Sequence, residues 1–163
     1  MAEAAPLPTP FRRAVRVVCL DALGRVFLQR WRDPGDDEHV VWEPPGGGVE
    51  DGEDEHAAAV REVLEETGMA ATLVPGRSVV VRRDVVWNGR RHVGPEPFLL
   101  ARVDAAAPVA PDALSEVERA TLLDARWLTW PEVLALTDPL EPPTLGAVLA
   151  ALDPTGPWAV DKS

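Results

Sequence analysis

A chain of 163 residues with 46% hydrophobic composition is long enough to bury one well-filled core and too short for two comfortable ones. Its formal net charge of −11 argues against a nucleic-acid duplex as main partner, since phosphate backbones are held by Lys and Arg clusters. No stretch approaches the ~20 apolar residues of a membrane span, and the N-terminus lacks the basic and apolar segments of a signal peptide, so the expected location is cytoplasmic.

Residues 1–10, rich in Ala and Pro, read as a flexible tail, 11–155 as a single domain and 156–163 as a polar C-terminal tail. Ala14 to Asp21 and Val26 to Arg30 are β-branched and apolar around Leu23-Gly24, which predicts a hairpin, and Cys19 within it is expected to be a buried thiol. Asp33-Pro34-Gly35-Asp36-Asp37 reads as a loop, and Gly46-Gly47-Gly48 as a tight turn open to a metal or phosphate. Asp54 is a good N-cap and Gly68 a good left-handed stop, so a helix of about three turns lies between them. Its apolar face is expected to comprise Ala57, Ala59, Val60, Val63, Leu64 and Thr67.

Asn88-Gly89 is a strong two-residue hairpin signal between Ser78–Trp87 and Arg90–Val103. Asp104 to Asp112 reads as an exposed loop, Leu114 to Leu123 as a helix or ordered loop, and Ala125 to Leu128 as a strand. Short helices are expected from Pro131 to Leu136 and from Thr144 to Leu152. Mixed strands with inserted helices fit an α/β sandwich.

Within the central helix, Glu62, Glu65 and Glu66 stand at i, i+3 and i+4, which puts their carboxylates on one face. In a solvated helix their repulsion is a small liability; around Mg²⁺ or Mn²⁺ it becomes hard oxygen ligation. Alone, three such glutamates are more often a solvated face, and a bare triple glycine an ordinary loop.

Here they occur together. Gly47, Glu53, Arg61-Glu62-Val63, Glu65-Glu66 and Gly68-Met69 match every fixed position of G-x5-E-x7-R-E-U-x-E-E-x-G-U, where U is apolar, and so resemble the box of the Nudix hydrolases. Trp42-Glu43-Pro44-Pro45-Gly46-Gly47 and Arg126-Trp127-Leu128 resemble flanking segments of that family. The resemblance implies an α-β-α sandwich around a mixed β-sheet. It also implies a divalent-metal-dependent pyrophosphohydrolase that cleaves a phosphoanhydride bond in a nucleoside diphosphate derivative or nucleoside triphosphate. Mg²⁺ or Mn²⁺ would be held by Glu62, Glu65 and Glu66, with Gly46 from the glycine turn, and Glu62 is a candidate to accept the proton of the attacking water. Arg61 is expected to pair with Glu53 and aim Glu62. Glu50 reads equally as a further ligand or a solvated charge.

A further carboxylate from outside the box is expected among Glu96, Glu116 and Glu118, with Glu118 preferred as catalytic group and ligand because it precedes Arg126-Trp127. Trp42, Trp87 and Arg30 are candidates to bind the substrate, each also readable as packing or surface. The implied partner is a small nucleotide, with no membrane and a homodimer left open. Branch markers are absent: the place of an ADP-ribose-type proline falls near Asp84, and no tyrosine exists where a diadenosine-polyphosphate branch carries one. A non-catalytic Nudix-fold nucleotide sensor is the alternative, though sensors of this kind usually lose box carboxylates. An isoprenoid-isomerase reading needs a reactive cysteine, and Cys19 lies outside the box.

Overall fold

In a computed structural model the chain is described over residues 13–105 and 113–159; the expected tail 1–10 and most of the loop Asp104–Asp112 lie outside these residues. The β-branched N-terminal runs form the hairpin β1 (Ala14–Leu20) and β2 (Val26–Asp33). The expected loop Asp33–Asp37 is instead a tight turn that leads directly into an edge strand, β3 (Asp36–Glu43). Its leading Asp36, Asp37 and Glu38 are exposed and disfavour strand locally, so pairing with β2 overrides propensity.

The triple glycine is also a strand, β4 (Gly46–Gly48), paired antiparallel to β1 with Val15 opposite Gly47. Helix α1 (Glu55–Thr67) follows, then the long hairpin β5 (Thr72–Trp87) and β6 (Arg90–Arg102), turned at Asn88-Gly89 with Trp87 opposite Arg90. The ambiguous segment resolves into α2 (Glu116–Thr121) and β7 (Leu122–Leu128), and the chain closes with α3 (Trp130–Leu134) and α4 (Leu145–Leu152).

These strands make one mixed sheet ordered β3-β2-β1-β6-β5, with β4 on β1 and β7 on β2; β1 and β6 run parallel. β1 and β2 pair where they are joined, with Leu20 opposite Val26, and each then takes other partners: β4 and β6 for β1, β3 and β7 for β2. One face packs on α1 through Val15, Val17, Cys19, Phe27, Leu99 and Val63, the other on α3 and α4 through Val18, Leu28, Phe98, Val133 and Leu149. This is the expected layered α/β architecture.

The packed domain reaches beyond the expected boundary at 155. Residues Pro157–Ala159 form a 3-10 turn, and Trp158 is buried against Trp130, its indole N–H donating to Asp153 O at 3.0 Å. No helix among the described residues is long and apolar enough to cross a membrane.

Candidate active site

Helix α1 is set by its caps. Asp54 accepts from Ala57 N at 2.7 Å, and Gly68, at φ 74°, donates its N–H to Leu64 O at 2.8 Å. Its buried side is Ala58, Ala59, Val63, Glu66 and Thr67; Val60 and Leu64, expected inside, are 39% and 54% exposed. Burying Glu66 rotates the helix so that its carboxylate enters the site, and the two apolar residues turn outward as a consequence.

Arg61 is the hub of the loop-helix junction. Its Nε donates to Glu53 Oε2 at 2.8 Å, Nη2 to Glu53 Oε1 at 2.9 Å and to Gly48 O at 2.8 Å. Nη1 reaches Glu62 Oε1 at 2.9 Å and Glu65 Oε2 at 3.2 Å. The expected Arg61–Glu53 pair is thus bidentate, which pins the loop to the helix and leaves one edge of the guanidinium to orient Glu62. The hydrogen bonds from Arg61 pull the Glu53 carboxyl down to about 2. Glu50, 3.8 Å from Arg61 and exposed, is a solvated member of the same cluster.

Opposite α1 stands β4. A Cβ at Gly46 would collide with backbone at Val15 O, which excludes a side chain there, and one at Gly47 would lie 2.5 Å from Glu62 Cδ and push that carboxylate aside. Gly46 N donates to Glu66 Oε2 at 3.4 Å, so the contact seen at this residue is through its amide. Glu62, Glu66, Glu118 and Glu43 together line a cleft of about 340 Å³ along with Arg16, Trp31 and Trp87. Glu65 instead turns to Arg61, half exposed, outside the cleft lining. Burial lifts the Glu66 carboxyl well above its ordinary range, opposed by Arg16 and reinforced by Glu62, Glu43 and Glu118; Glu62 is likewise raised by burial, against Arg61.

Among the described residues no three His, Cys, Asp or Glu side chains are already gathered tightly enough to ligate one ion. The donor set nevertheless fits a hard divalent cation. It is all carboxylate, partly desolvated and mutually repelling, and it faces a glycine strand with no side chain to fill the space.

Glu118 lies in this cleft although its Oε1 also accepts from Ser115 N at 2.9 Å in a capping box. Glu116 is exposed at the start of α2, and Glu96 is engaged by Arg16 and Arg83. Two expected substrate contacts fall elsewhere. Trp42 is 3% exposed in the α3–α4 core, beneath Arg126, because strand alternation sends it to the face opposite Glu43. Arg30 pairs with Asp138 at 2.8 Å and lines neither cavity at the site. Trp87 does line the cleft, with the His39 ring edge-on at 5.4 Å.

Sequence reading missed Arg16, Glu43 and Glu141. Arg16 Nη1 donates to Glu43 Oε1 at 3.3 Å and to Pro44 O at 3.2 Å, and Nε to Glu96 Oε1 at 3.1 Å. Glu141 reaches the same place because its N–H donates to Trp42 O at 2.9 Å, which lays the segment before α4 beside β3. Asp33, 2% exposed, accepts from Gly35 N and Asn88 N at 2.8 Å each and faces His39 Nδ1 at 2.9 Å, so the tips of the β2–β3 and β5–β6 hairpins are clasped together. Cys19 is fully buried and its thiol is pushed up to about 12 by burial, which removes the reactive cysteine an isomerase would need.

A family model described as the NUDIX domain matches residues 10–149. The chain belongs to the Nudix family. Among Nudix relatives, an RNA pyrophosphohydrolase of Roseobacter denitrificans is 30% identical over 154 residues, covering 88% of this chain and 92% of that protein. An RNA pyrophosphohydrolase of Novosphingobium aromaticivorans is 49% identical over 65 residues, and that match spans 40% of this chain and 39% of the relative. The crystal structure of a MutT NUDIX hydrolase from Burkholderia pseudomallei superposes with a TM-score of 0.58 at 27% identity, over 86% of this chain and 97% of that one.

Proposed function

We propose that this Nudix protein is a divalent-metal-dependent pyrophosphohydrolase that cleaves a phosphoanhydride bond in a nucleoside triphosphate or another nucleoside diphosphate derivative. The observation that carries the reading is the convergence of Glu62 and Glu66 on a side-chain-free glycine strand, with Glu62 held by an Arg61 that Glu53 anchors on two sides. Box carboxylates in a protein that had become a sensor would have no reason to keep this support.

Glu62, Glu66 and Glu118, with Gly46 beside them, would hold Mg²⁺ or Mn²⁺, and Glu65 would join them by turning away from Arg61. When bound, the cation supplies charge neutralisation to the phosphates and acidifies water. The chain's own groups do the rest. Glu62, raised by burial and held in place by Arg61, is the group positioned to accept a proton from the attacking water. Arg61 remains charged and fixes the Glu62 carboxylate, while Trp87 offers an aromatic face to the part of the substrate beyond the phosphates.

The test is a substrate panel of nucleoside triphosphates, nucleotide sugars, dinucleotides, ADP-ribose and, given the names of the relatives, RNA ending in a 5′-triphosphate, each assayed with Mg²⁺ or Mn²⁺ and with excess EDTA. Turnover of at least one phosphoanhydride that EDTA abolishes is expected. Binding without turnover across the panel would instead establish the sensor.

A further inference from the structure

A second, larger cavity of about 450 Å³ lies between β3 and the β5–β6 hairpin. It shares Arg16, Glu43, Gly48 and Trp87 with the carboxylate cleft, so a molecule whose phosphates lie over Glu62 and Glu66 extends directly into it. Apolar walls from Val41, Val85, Val93, Pro95 and Trp87 are joined by charged groups, Arg13, Arg16, Arg83, Glu43, Glu96 and Glu141, and by His39 and His92. A cavity of that size with such a lining suits a planar heteroaromatic ring.

Arg16 and Arg83 meet three carboxylates, Glu43, Glu96 and Glu141, while Arg13, the third arginine of the lining, pairs with Glu55 outside it at 3.6 Å. Both oxygens of Glu96 are taken, by Arg16 Nε and Arg83 Nη1 at 3.1 Å each. Glu43 and Glu141 are met by guanidinium through Oε1, and a carboxylate carries a second acceptor oxygen. Glu43 also borders the phosphate side, whereas Glu141 lines the larger cavity alone. Arg83 is 6% exposed, and its buried Nε–H has no acceptor among the described residues.

A base that satisfies this lining presents adjacent N–H donors to a carboxylate and a carbonyl to a guanidinium. Guanine has that order in O6, N1–H and N2–H₂. Adenine and cytosine set their amino group beside an acceptor nitrogen, and uracil has a single N–H between two carbonyls. We propose that this cavity is a guanine-recognition site in which Glu141 accepts from N1–H and N2–H₂ and Trp87 covers the ring. The inference rests on reading the adjoining cleft as the site of a nucleotide's phosphates, but its test requires no hydrolysis.

Dissociation constants of GMP, IMP, AMP, CMP and UMP are to be measured by calorimetric titration. Hydrogen bonds to a charged acceptor make GMP bind at least ~10-fold tighter than AMP and than IMP, which lacks the N2 amino group. In Glu141→Gln, whose amide offers one acceptor oxygen rather than two, GMP weakens by at least ~10-fold and its advantage over AMP shrinks to within ~2-fold. Thermal melting of Glu141→Gln establishes that it folds; if it does not, the comparison of GMP with IMP on the parent protein decides. Equal binding of GMP, IMP and AMP overturns the proposal, as does absence of saturable binding by any of them, or guanine preference that survives Glu141→Gln. Guanine preference without turnover of any phosphoanhydride would leave this site standing and remove the hydrolase.

Discussion

Gly47→Ala isolates the geometry on which the proposed chemistry depends. The added Cβ would sit 2.5 Å from Glu62 Cδ and 2.6 Å from both its oxygens, whereas ordinary contact begins at 3.4 Å, so the carboxylate must retreat by about 0.9 Å. Gly47 is absent from the residues with positive φ, so alanine meets no backbone strain there. The obstruction is the end of a flexible side chain, and restricting the unfolded chain offsets the local adjustment, so folding stability should stay within ~1 kcal/mol of the parent. Activity should not. A misplacement of about 1 Å at a reacting group costs on the order of 10²-fold in rate, equivalent to about 2.7 kcal/mol in the barrier. The assay is kcat at saturating substrate and metal beside a thermal melt. Gly48→Ala is the matched comparison, since its Cβ meets nothing nearer than Arg13 O at 3.9 Å and should cost far less. A Gly47→Ala enzyme with kcat within twofold of the parent would refute the claim that Glu62 works from its position against β4.

Glu66→Gln should lower kcat by about 10²-fold or more while the metal-free protein melts no lower than the parent, because the change removes a carboxyl buried among other acids; retained turnover would dismiss Glu66 as a ligand. Gly68→Val places a β-branched residue at φ 74° and should destabilise folding by about 1–2 kcal/mol in denaturant titration; an unchanged midpoint would show that strain is relieved elsewhere. Glu53 is pulled down to about 2 from its ordinary 4.5, so the stability it contributes is full above pH 4.5 and is lost as pH falls toward 2. Melting curves of the parent and Glu53→Gln should therefore differ at pH 6, draw together below pH 4.5 and converge only near pH 2; a gap of constant size would mean that Glu53 acts through packing rather than charge.

Helix α1 and the Arg61–Glu53 pair at its base were legible in sequence because their signals are local. Asp54 and Gly68 cap the helix, the three glutamates share its face by spacing, and Arg61 reaches Glu53 across one loop. Strand β3 was not legible, because Asp36-Asp37-Glu38 carry no strand propensity and the pairing that forms it comes from β2. Trp42 was misjudged for a related reason: adjacency to Glu43 in sequence places it on the opposite face of the same strand. Arg16, Glu43, Glu96, Arg83 and Glu141 come from β1, β3, β6, β5 and the segment before α4, and no motif links them. The outward turn of Val60 and Leu64 likewise follows from where Glu66 is needed, which hydrophobic spacing does not encode.

An open sheet has two rims, and a rim of unpaired amides and carbonyls is a template on which a second chain can add itself. Here β3 and β5 end the main strand order, and β4 and β7 branch from it with edges of their own. Asp33 holds the tips of their hairpins together, and Asp36, Asp37 and Glu38 on one rim and Arg82 and Asp84 on the other are charged and exposed. At β3 and β5, resistance to edge-to-edge pairing thus rests on one buried carboxylate together with a short row of surface charges. Asp33 also fixes Asn88 and His39 on either side of Trp87, so only the surface charges are open to change without touching the proposed site.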